Sequence, residues 1–494
     1  MNRPIRTLTI GCLILFVALL LNITYVQFVK ADDYNDNADN RRVFQATFSR
    51  PRGAILAGKQ AIAKSVPSKD QYEWQRTYPK PFEYAPITGY LSYQFGQSGI
   101  ESSQNDILSG EDDRLFTNRL IDLVTNTEPK GGNVELTINP KVQDAAYNGL
   151  TALGSDVQGA AVAIEPSTGR ILAMASTPSY DPNGLASHDL NKAADAWKRL
   201  DPNDPNGRMQ NRATRTTLPP GSTFKLVTAS AALEDLKMTP DSLVNGTNRL
   251  DVPQTDKDMH NEDGTTCGNL GEAKVSFTTA LDWSCNVSFG DVALRLTDAQ
   301  LRTQAEKFGF GQRYLTDLSG QAVSSFPSGT LGPAFRVQTA IGQYDVRATP
   351  LQMAMVSAGI ANGGTVMKPY LVDRVTSSSL DVVDQGHPTP IDDQPAISSK
   401  TAAQLTQMME SVVDHGTGTP AKIPGVAVAG KTGTAQSDPN RPPYAWFTAF
   451  APAENPKIAV AVMVQKSGTA RNDIAGGALC APIAKSMIEA AIGQ

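Results

Sequence analysis

The run Leu218-Pro219-Pro220-Gly221 cannot continue a helix, and the stretch after it, Ser222-Thr223-Phe224-Lys225-Leu226-Val227-Thr228-Ala229-Ser230-Ala231-Ala232-Leu233, can. That junction puts Ser222 at a helix N-terminus. Unpaired backbone N–H groups and roughly half a positive charge of helix dipole there favour a serine alkoxide and an oxyanion beside it. Lys225 follows one turn later on the same face. A lysine at its ordinary pKa of ~10.4 is a poor proton acceptor, so it must be desolvated or crowded by a second cation before it can deprotonate a serine. A capping serine beside a solvated lysine is the plainer account of the same letters.

Two further motifs follow in order, Ser284-Cys285-Asn286 and Lys431-Thr432-Gly433. Each alone is weak, because Ser103-Gln104-Asn105 and Lys466-Ser467-Gly468 repeat their patterns. Lys431 is the natural second cation for Lys225. It sits in Val426-Ala427-Val428-Ala429-Gly430-Lys431-Thr432-Gly433-Thr434-Ala435, an apolar run of strand type whose glycines allow close approach of a ligand. A strand presenting a cation, two hydroxyls and bare N–H groups suits a carboxylate. The same letters from Gly425 to Thr432 satisfy the Walker A pattern. A phosphate loop opens a helix, however, whereas this match is itself a strand followed by the turn-rich Ser437 to Pro443.

The ordered set with its flanks resembles the class B penicillin-binding proteins, monofunctional D,D-transpeptidases of the bacterial cell wall, and most resembles their actinobacterial members. The resemblance includes Gly159 to Ile164 with Pro166 to Ser176, which looks like the opening hairpin of the transpeptidase domain. It continues through Pro178 to Asn183, Asn211-Arg212, Thr349 to Ala354 and Gly416-Thr417-Gly418-Thr419. Upstream, Arg52-Gly53-Ala54-Ile55 and Gly96-Gln97-Ser98-Gly99-Ile100-Glu101 resemble motifs of the family's non-catalytic domain, so nearly the whole chain is covered. The resemblance implies an α+β penicillin-binding fold, an antiparallel sheet covered by helices. It implies Ser222 as nucleophile, Lys225 as its base, Ser284 as proton shuttle and Asn286 as partner of Lys225 and of the substrate amide. The N–H groups of Ser222 and Thr434 would form the oxyanion hole. Lys431, Thr432, Gly433 and Thr434 would grip the terminal carboxylate. The implied partners are stem peptides of peptidoglycan, acceptor amines, β-lactams, and a separate glycosyltransferase with other cell-wall or divisome proteins. No cofactor or metal is implied.

The expected organisation is a short N-terminus over 1–7, a membrane helix over 8–29, a non-catalytic pedestal or dimerisation-type domain over 30–132 and the transpeptidase domain over 133–494. Arg3 and Arg6 precede the apolar Leu8 to Val29, long enough for the ~20 residues a bilayer requires. Positive charge on the N-terminal side places the remainder outside the cytoplasm. A signal peptide cleaved near Val29-Lys30-Ala31 is the alternative, but the stretch is long for an h-region of ~7–15 residues. A net charge of -5 gives no electrostatic reason to expect nucleic acid.

Within the pedestal, Arg42 to Phe48 reads as strand-like. Val134 to Ile138 alternates, Asn139-Pro140 caps a helix to about Leu153, and strands fall near 426–435, 445–452 and 457–465 before a Pro482 to Ile492 helix. Stretches 177–210 and 377–397 read as loops. Cys12 lies in the membrane segment and Cys480 near the last helix. Cys267 and Cys285 flank the second motif, either as a disulfide in an oxidising compartment or as two buried thiols.

Two rivals share the motifs. A class A β-lactamase needs a glutamate-held water, and no Glu-x-x-Leu-Asn lies between the second and third motifs. A non-enzymatic β-lactam receptor or divisome scaffold would differ only in lacking crosslinking. The four histidines form no His-Glu-x-x-His, and no serine sits in a Gly-x-Ser-x-Gly elbow.

Overall fold

The computed structural model describes residues 3–30, 33–34, 48–70, 72–115, 130–437 and 441–493. Of the strand-like piece expected at Arg42 to Phe48, all but Phe48 lies outside them, and Phe48 is not in a strand. The chain begins with the helix Arg3–Thr24, continued by a wider turn over Tyr25–Val29. The most apolar 18-residue stretch of these 27 residues has a mean hydropathy of 2.3, and none of the helix is buried. At ~1.5 Å per residue they span about 40 Å, more than the ~30 Å hydrocarbon core of a bilayer. Among the described residues this is the one helix long and apolar enough to cross a membrane.

The catalytic sheet has five strands in the order Ala429–Ala435, Tyr444–Ala451, Ile458–Lys466, Gln158–Ile164 and Ile171–Thr177, all antiparallel. The strands are buried on both faces, which is why they read as continuous apolar runs rather than as alternation. Helix Pro350–Ala361, buried almost all round, packs against Ile458–Lys466 and Gln158–Ile164 on one face. Helices Pro140–Thr151 and Ala481–Ile492 pack on each other and cover the opposite face. Asn139 caps the first of these, its side chain accepting from Lys141 N at 3.0 Å. The Lys431 strand is an edge, leaving one side open to the serine turn.

The pedestal is joined to the rest by a second sheet. Its order is Val382–Gln385, Val372–Thr376, Asn133–Leu136, Ile55–Ala57, Gln60–Pro67 and Trp74–Thr77. Asn133–Leu136 pairs in parallel with Ile55–Ala57 and antiparallel with Val372–Thr376. The strand expected to open the transpeptidase domain therefore lies between pedestal and catalytic segments and belongs to both. Stretch 377–397 was expected to be a loop but contains Val382–Gln385, a mostly exposed edge strand defined by its hairpin pairing with Val372–Thr376 rather than by its own composition. Stretch 177–210 likewise contains the helix Leu190–Leu200, started by Asp189, whose carboxylate accepts from Asn191 N and Lys192 N. Its Ala193, Ala196, Trp197 and Leu200 turn inward at helical spacing.

The two upstream motifs meet at a buried carboxylate. Glu101 accepts from Arg52 Nε at 2.7 Å, Arg76 Nε at 2.6 Å and the Tyr78 hydroxyl at 3.1 Å. Burial alone would raise the Glu101 carboxyl, but the two guanidiniums outweigh it and hold it below the usual carboxylate range.

Candidate active site

The breaker run before Ser222 ends in a 3-10 turn, Gly221–Phe224, and the α-helix proper runs Lys225–Asp235. The expected helix start is thus one turn later than Ser222, because Gly221 adopts φ +54 to bring the turn against the edge strand. A Cβ on Gly221 would lie 2.5 Å from Thr434 O. Ser222 is left half-buried on the wall of a cavity of about 700 Å³. Lys225, by contrast, is completely buried.

Opposite, helix Phe277–Asp282 ends and the chain turns through Ser284, which holds φ +56, a left-handed conformation costly for a residue with a Cβ. Helix Asn286–Arg295 begins at once, with Asn261 Oδ1 accepting from Val287 N at 3.1 Å. Cys285 is joined to Cys267 with a Cα separation of 5.4 Å, tying the strained turn to the wall of the cavity. Cys480 is a buried free thiol and Cys12 an exposed one.

The three motifs converge on two ammonium groups. Lys225 Nζ donates to Ser284 O at 2.5 Å, Ser284 Oγ at 3.2 Å and Asn286 Oδ1 at 2.8 Å, above the Phe289 ring. Lys431 Nζ donates to the same Ser284 Oγ at 2.9 Å and to Thr432 O at 2.9 Å. Both lysines are fully buried. Burial first, then repulsion from Lys431, push the Lys225 ammonium well below its ordinary value, against attraction from Glu262. Burial lowers Lys431 to about 7, opposed by Asp282 and Glu262. These are the conditions under which a lysine serves as a base near neutral pH. Ser222 Oγ makes no hydrogen bond to Lys225 in this arrangement, although both line up on one turn; the ammonium is held by Ser284 and Asn286 instead.

Lys431 to Thr434 lie within the strand Ala429–Ala435, with no helix after them, so the Walker reading fails on geometry. The strand starts at Ala429 rather than Val426, since Ile423 to Val426 close a turn. In an antiparallel ladder the N–H and C=O of one residue point to the same side. Thr434 O faces Gly221 across the open edge, so the Thr434 N–H faces that edge too. Gly433 permits the contact: a Cβ there would sit 3.0 Å from Pro220 O.

Sequence reading overlooked four contributors. Thr417 Oγ1 lies 2.6 Å from Thr432 Oγ1. Asp282 is buried beside Ser411 and Lys431, and burial raises its carboxyl to about 6. Glu262 faces both lysines across the cavity, and Asn261 caps the Asn286 helix. Only Thr417 had a signal, as part of Gly416-Thr417-Gly418-Thr419.

A serine-bearing turn at an edge strand and a buried lysine pair of this kind define a serine acyltransferase of the penicillin-recognising class. Comparison with known proteins agrees: the family described as penicillin binding protein transpeptidase domain matches residues 159–489, and the penicillin binding protein A dimerisation domain matches 52–134. Peptidoglycan D,D-transpeptidase PbpA of Mycolicibacterium smegmatis is 40% identical, with 100% of each chain covered. PbpA of Mycobacterium tuberculosis is 40% identical over 100% of this chain and 99% of its own. The solved ceftriaxone acyl-enzyme complex of penicillin-binding protein A from Mycobacterium tuberculosis superposes with a TM-score of 0.84 at 39% identity, covering 91% of this chain and 100% of that one. The chain belongs to the penicillin-binding protein transpeptidase family, as a class B member.

Proposed function

We propose that the chain is a peptidoglycan D,D-transpeptidase in which Ser222 attacks the carbonyl between the two terminal D-alanines of a stem peptide. The observation that carries this reading is the convergence of Lys225, with its partner Asn286, and Lys431 on Ser284, which shares the wall of one cavity with Ser222. Lys225 acts as the base. A neutral amine has two N–H groups and one lone pair, so one of its three present contacts is surrendered as the lone pair turns to the Ser222 hydroxyl.

The Ser222 and Thr434 N–H groups receive the oxyanion, where a single donor in a serine hydrolase is worth about 10²–10³ in rate. The proton passes from Lys225 through Ser284 to the departing amine, and D-alanine leaves. Asn286, held by Lys225 through its Oδ1, offers its amide N–H to the substrate backbone. Lys431, Thr432 and Thr434 hold the terminal carboxylate, with Gly433 keeping the strand close to the serine turn. The amine of a neighbouring stem peptide then attacks the Ser222 ester and forms the crosslink. β-Lactams follow the first half of this course and stop at the acyl-enzyme.

The N-terminal helix serves as a single-pass anchor. Arg3 and Arg6 hold its start in the cytoplasm, and the catalytic domain lies outside the membrane. Glycan strands come from a separate glycosyltransferase, and the pedestal contacts that enzyme or other cell-wall or divisome proteins. Peptide mapping after reaction with a fluorescent penicillin tests the nucleophile: the adduct is expected on Ser222, and an adduct on Ser284 or Ser467 overturns the reading. Product analysis with a donor stem peptide and an acceptor amine tests the reaction. A penicilloyl adduct that turns over quickly would place the chain among the β-lactamases, and a long-lived adduct without turnover of the donor stem peptide would make it a non-enzymatic receptor or scaffold.

A further inference from the structure

Thr417 joins two of the catalytic segments. Its N–H donates to Asp282 O at 3.0 Å, and its Oγ1 lies 3.2 Å from the same carbonyl and 2.6 Å from Thr432 Oγ1. Asp282 is the last residue of its helix, where carbonyls lack an intrahelical partner, and Ser284 follows two residues on. The approach is close by construction. A Cβ on Gly416 would sit 2.4 Å from Asp282 O, and one on Gly477 would sit 2.6 Å from Thr417 O. Thr417 and Thr432 both line the cavity that contains Ser222.

A threonine hydroxyl has one proton and two lone pairs. If Thr417 gives its proton to Asp282 O, then Thr432 must give its own to Thr417 and has none for a ligand. If Thr417 gives its proton to Thr432, the Thr432 proton is free. We propose that Thr417 is a positioning residue that sets the direction of this relay. Without a carboxylate the bonds run Thr432 to Thr417 to Asp282 O. With one bound they reverse to Thr417, Thr432 and the ligand carboxylate, while the Thr417 N–H keeps Asp282 O satisfied. The relay rests on the proposed role of Thr432 in gripping the terminal carboxylate, and it adds a residue that prepares that grip without touching the substrate. A hydroxyl that both donates to a charged acceptor and accepts from a neighbour makes a stronger bond than an isolated one.

The test compares second-order acylation of the detergent-solubilised full chain by benzylpenicillin and by its methyl ester, which lacks the charge. The ratio of the two rate constants isolates carboxylate recognition from the chemistry at Ser222. Thr417→Val is expected to lower that ratio about tenfold, the scale of one hydrogen bond to a charged group. Thr417→Ser is expected to leave the ratio at the wild-type value. Thr417→Ala removes the same hydroxyl without the bulk of valine and gives the same reading should Thr417→Val fail to fold. Thr432→Val is measured beside them. A ratio lowered by Thr432→Val but unchanged by Thr417→Val and Thr417→Ala overturns the relay alone. A ratio unchanged by Thr432→Val overturns the carboxylate grip, and the relay with it. Equal loss on acid and ester in Thr417→Val reduces Thr417 to a support of the Ser284 turn and also overturns the relay.

Discussion

Lys225 and Lys431 share one hydroxyl: Ser284 Oγ lies 3.2 Å from the first ammonium and 2.9 Å from the second. Two cations that close, both buried, each disfavour the other's charge, and burial adds to the effect. In the proposed reaction the pair thereby solves the chemical difficulty of using lysine as a base.

The sign of the pH dependence follows from that pair. Removing a neighbouring positive charge makes protonated Lys225 easier to keep, so its pKa rises. In Lys431→Ala the ascending limb of acylation rate against pH should therefore move to higher pH, with a lower plateau because Ser284 loses a donor. In the wild-type chain the limb lies well below the ordinary lysine value, and the rate falls again as Lys431, at about 7, gives up its proton. Stopped-flow acylation across pH 5 to 10 (roughly the range over which these groups titrate) checks both limbs. An ascending limb that stays in place in Lys431→Ala excludes the coupling.

Burial of Lys225 trades stability for function. Lys225→Met keeps the length of the side chain and removes the desolvation cost, while Ser284 O and Asn286 are left to repartner. Acylation should fall by about 10²–10⁴, the usual contribution of a general base, and the melting temperature should rise or hold. The stability gain should be largest at low pH. The unfolded lysine binds its proton throughout the range below ~10.4, whereas the folded one releases it earlier, so the wild-type chain loses stability as pH falls through the folded pKa. A variant that melts much lower than wild type while retaining acylation would contradict both halves.

Much of this site was readable from the letters alone because its chemistry is local: a breaker run sets Ser222, one helical turn sets Lys225, and strand-type composition sets Lys431. The environment of those groups was not local. Complete burial of both lysines depends on helix Asn286–Arg295 and on the strand order of the sheet, which a single sequence does not encode within any short window. The same reason hid Thr417, whose partners lie 135 and 15 residues away. Val382–Gln385 was hidden for a different reason: it is a mostly exposed edge strand with no buried apolar face, defined by its hairpin pairing with the adjacent Val372–Thr376. Cys267 and Cys285 left two arrangements open in the sequence; the fold brings their Cα atoms to 5.4 Å.

Glu101 predicts the behaviour of the pedestal. Glu101→Gln leaves Arg52 and Arg76 buried without a counter-charge and should destabilise by about 3–5 kcal/mol. Because the folded carboxyl is held below its unfolded value, the stability it supplies is complete above the unfolded pKa and is lost as pH falls through the folded one. Wild-type chain should thus lose stability in acid more steeply than Glu101→Gln. Parallel denaturation curves at neutral and acid pH would show it, and curves that differ by a constant offset would not fit.

Reduction of the Cys267–Cys285 bridge should act on the Ser284 turn before it acts on the fold. A closed loop of 18 residues is worth roughly 3 kcal/mol in the chain-entropy account, and the bridge anchors a residue at φ +56. Cys267→Ala with Cys285→Ala is expected to slow penicillin acylation several-fold while the catalytic sheet stays folded by circular dichroism. Thiol counting on denatured, unreduced protein gives the control, with both cysteines free excluding the bond.

Two glycines with the same backbone requirement separate strain from site geometry. Gly221 has φ +54 and Gly425 has φ +75, so alanine at either is strained by its backbone conformation. At Gly425 a Cβ meets nothing within 4 Å, whereas at Gly221 it lies 2.5 Å from Thr434 O and 2.8 Å from Thr434 C. Gly221→Ala must therefore push the serine turn off the edge strand, separating the Ser222 and Thr434 N–H groups that receive the oxyanion in the proposed reaction. Misplacement by ~1 Å can cost about 10²-fold in rate. Gly221→Ala is expected to lose acylation on that scale, and Gly425→Ala to lose only stability, by about 1 kcal/mol. Equal acylation rates in the two variants at matched folded fractions would mean that the contact between turn and strand does not set the oxyanion hole.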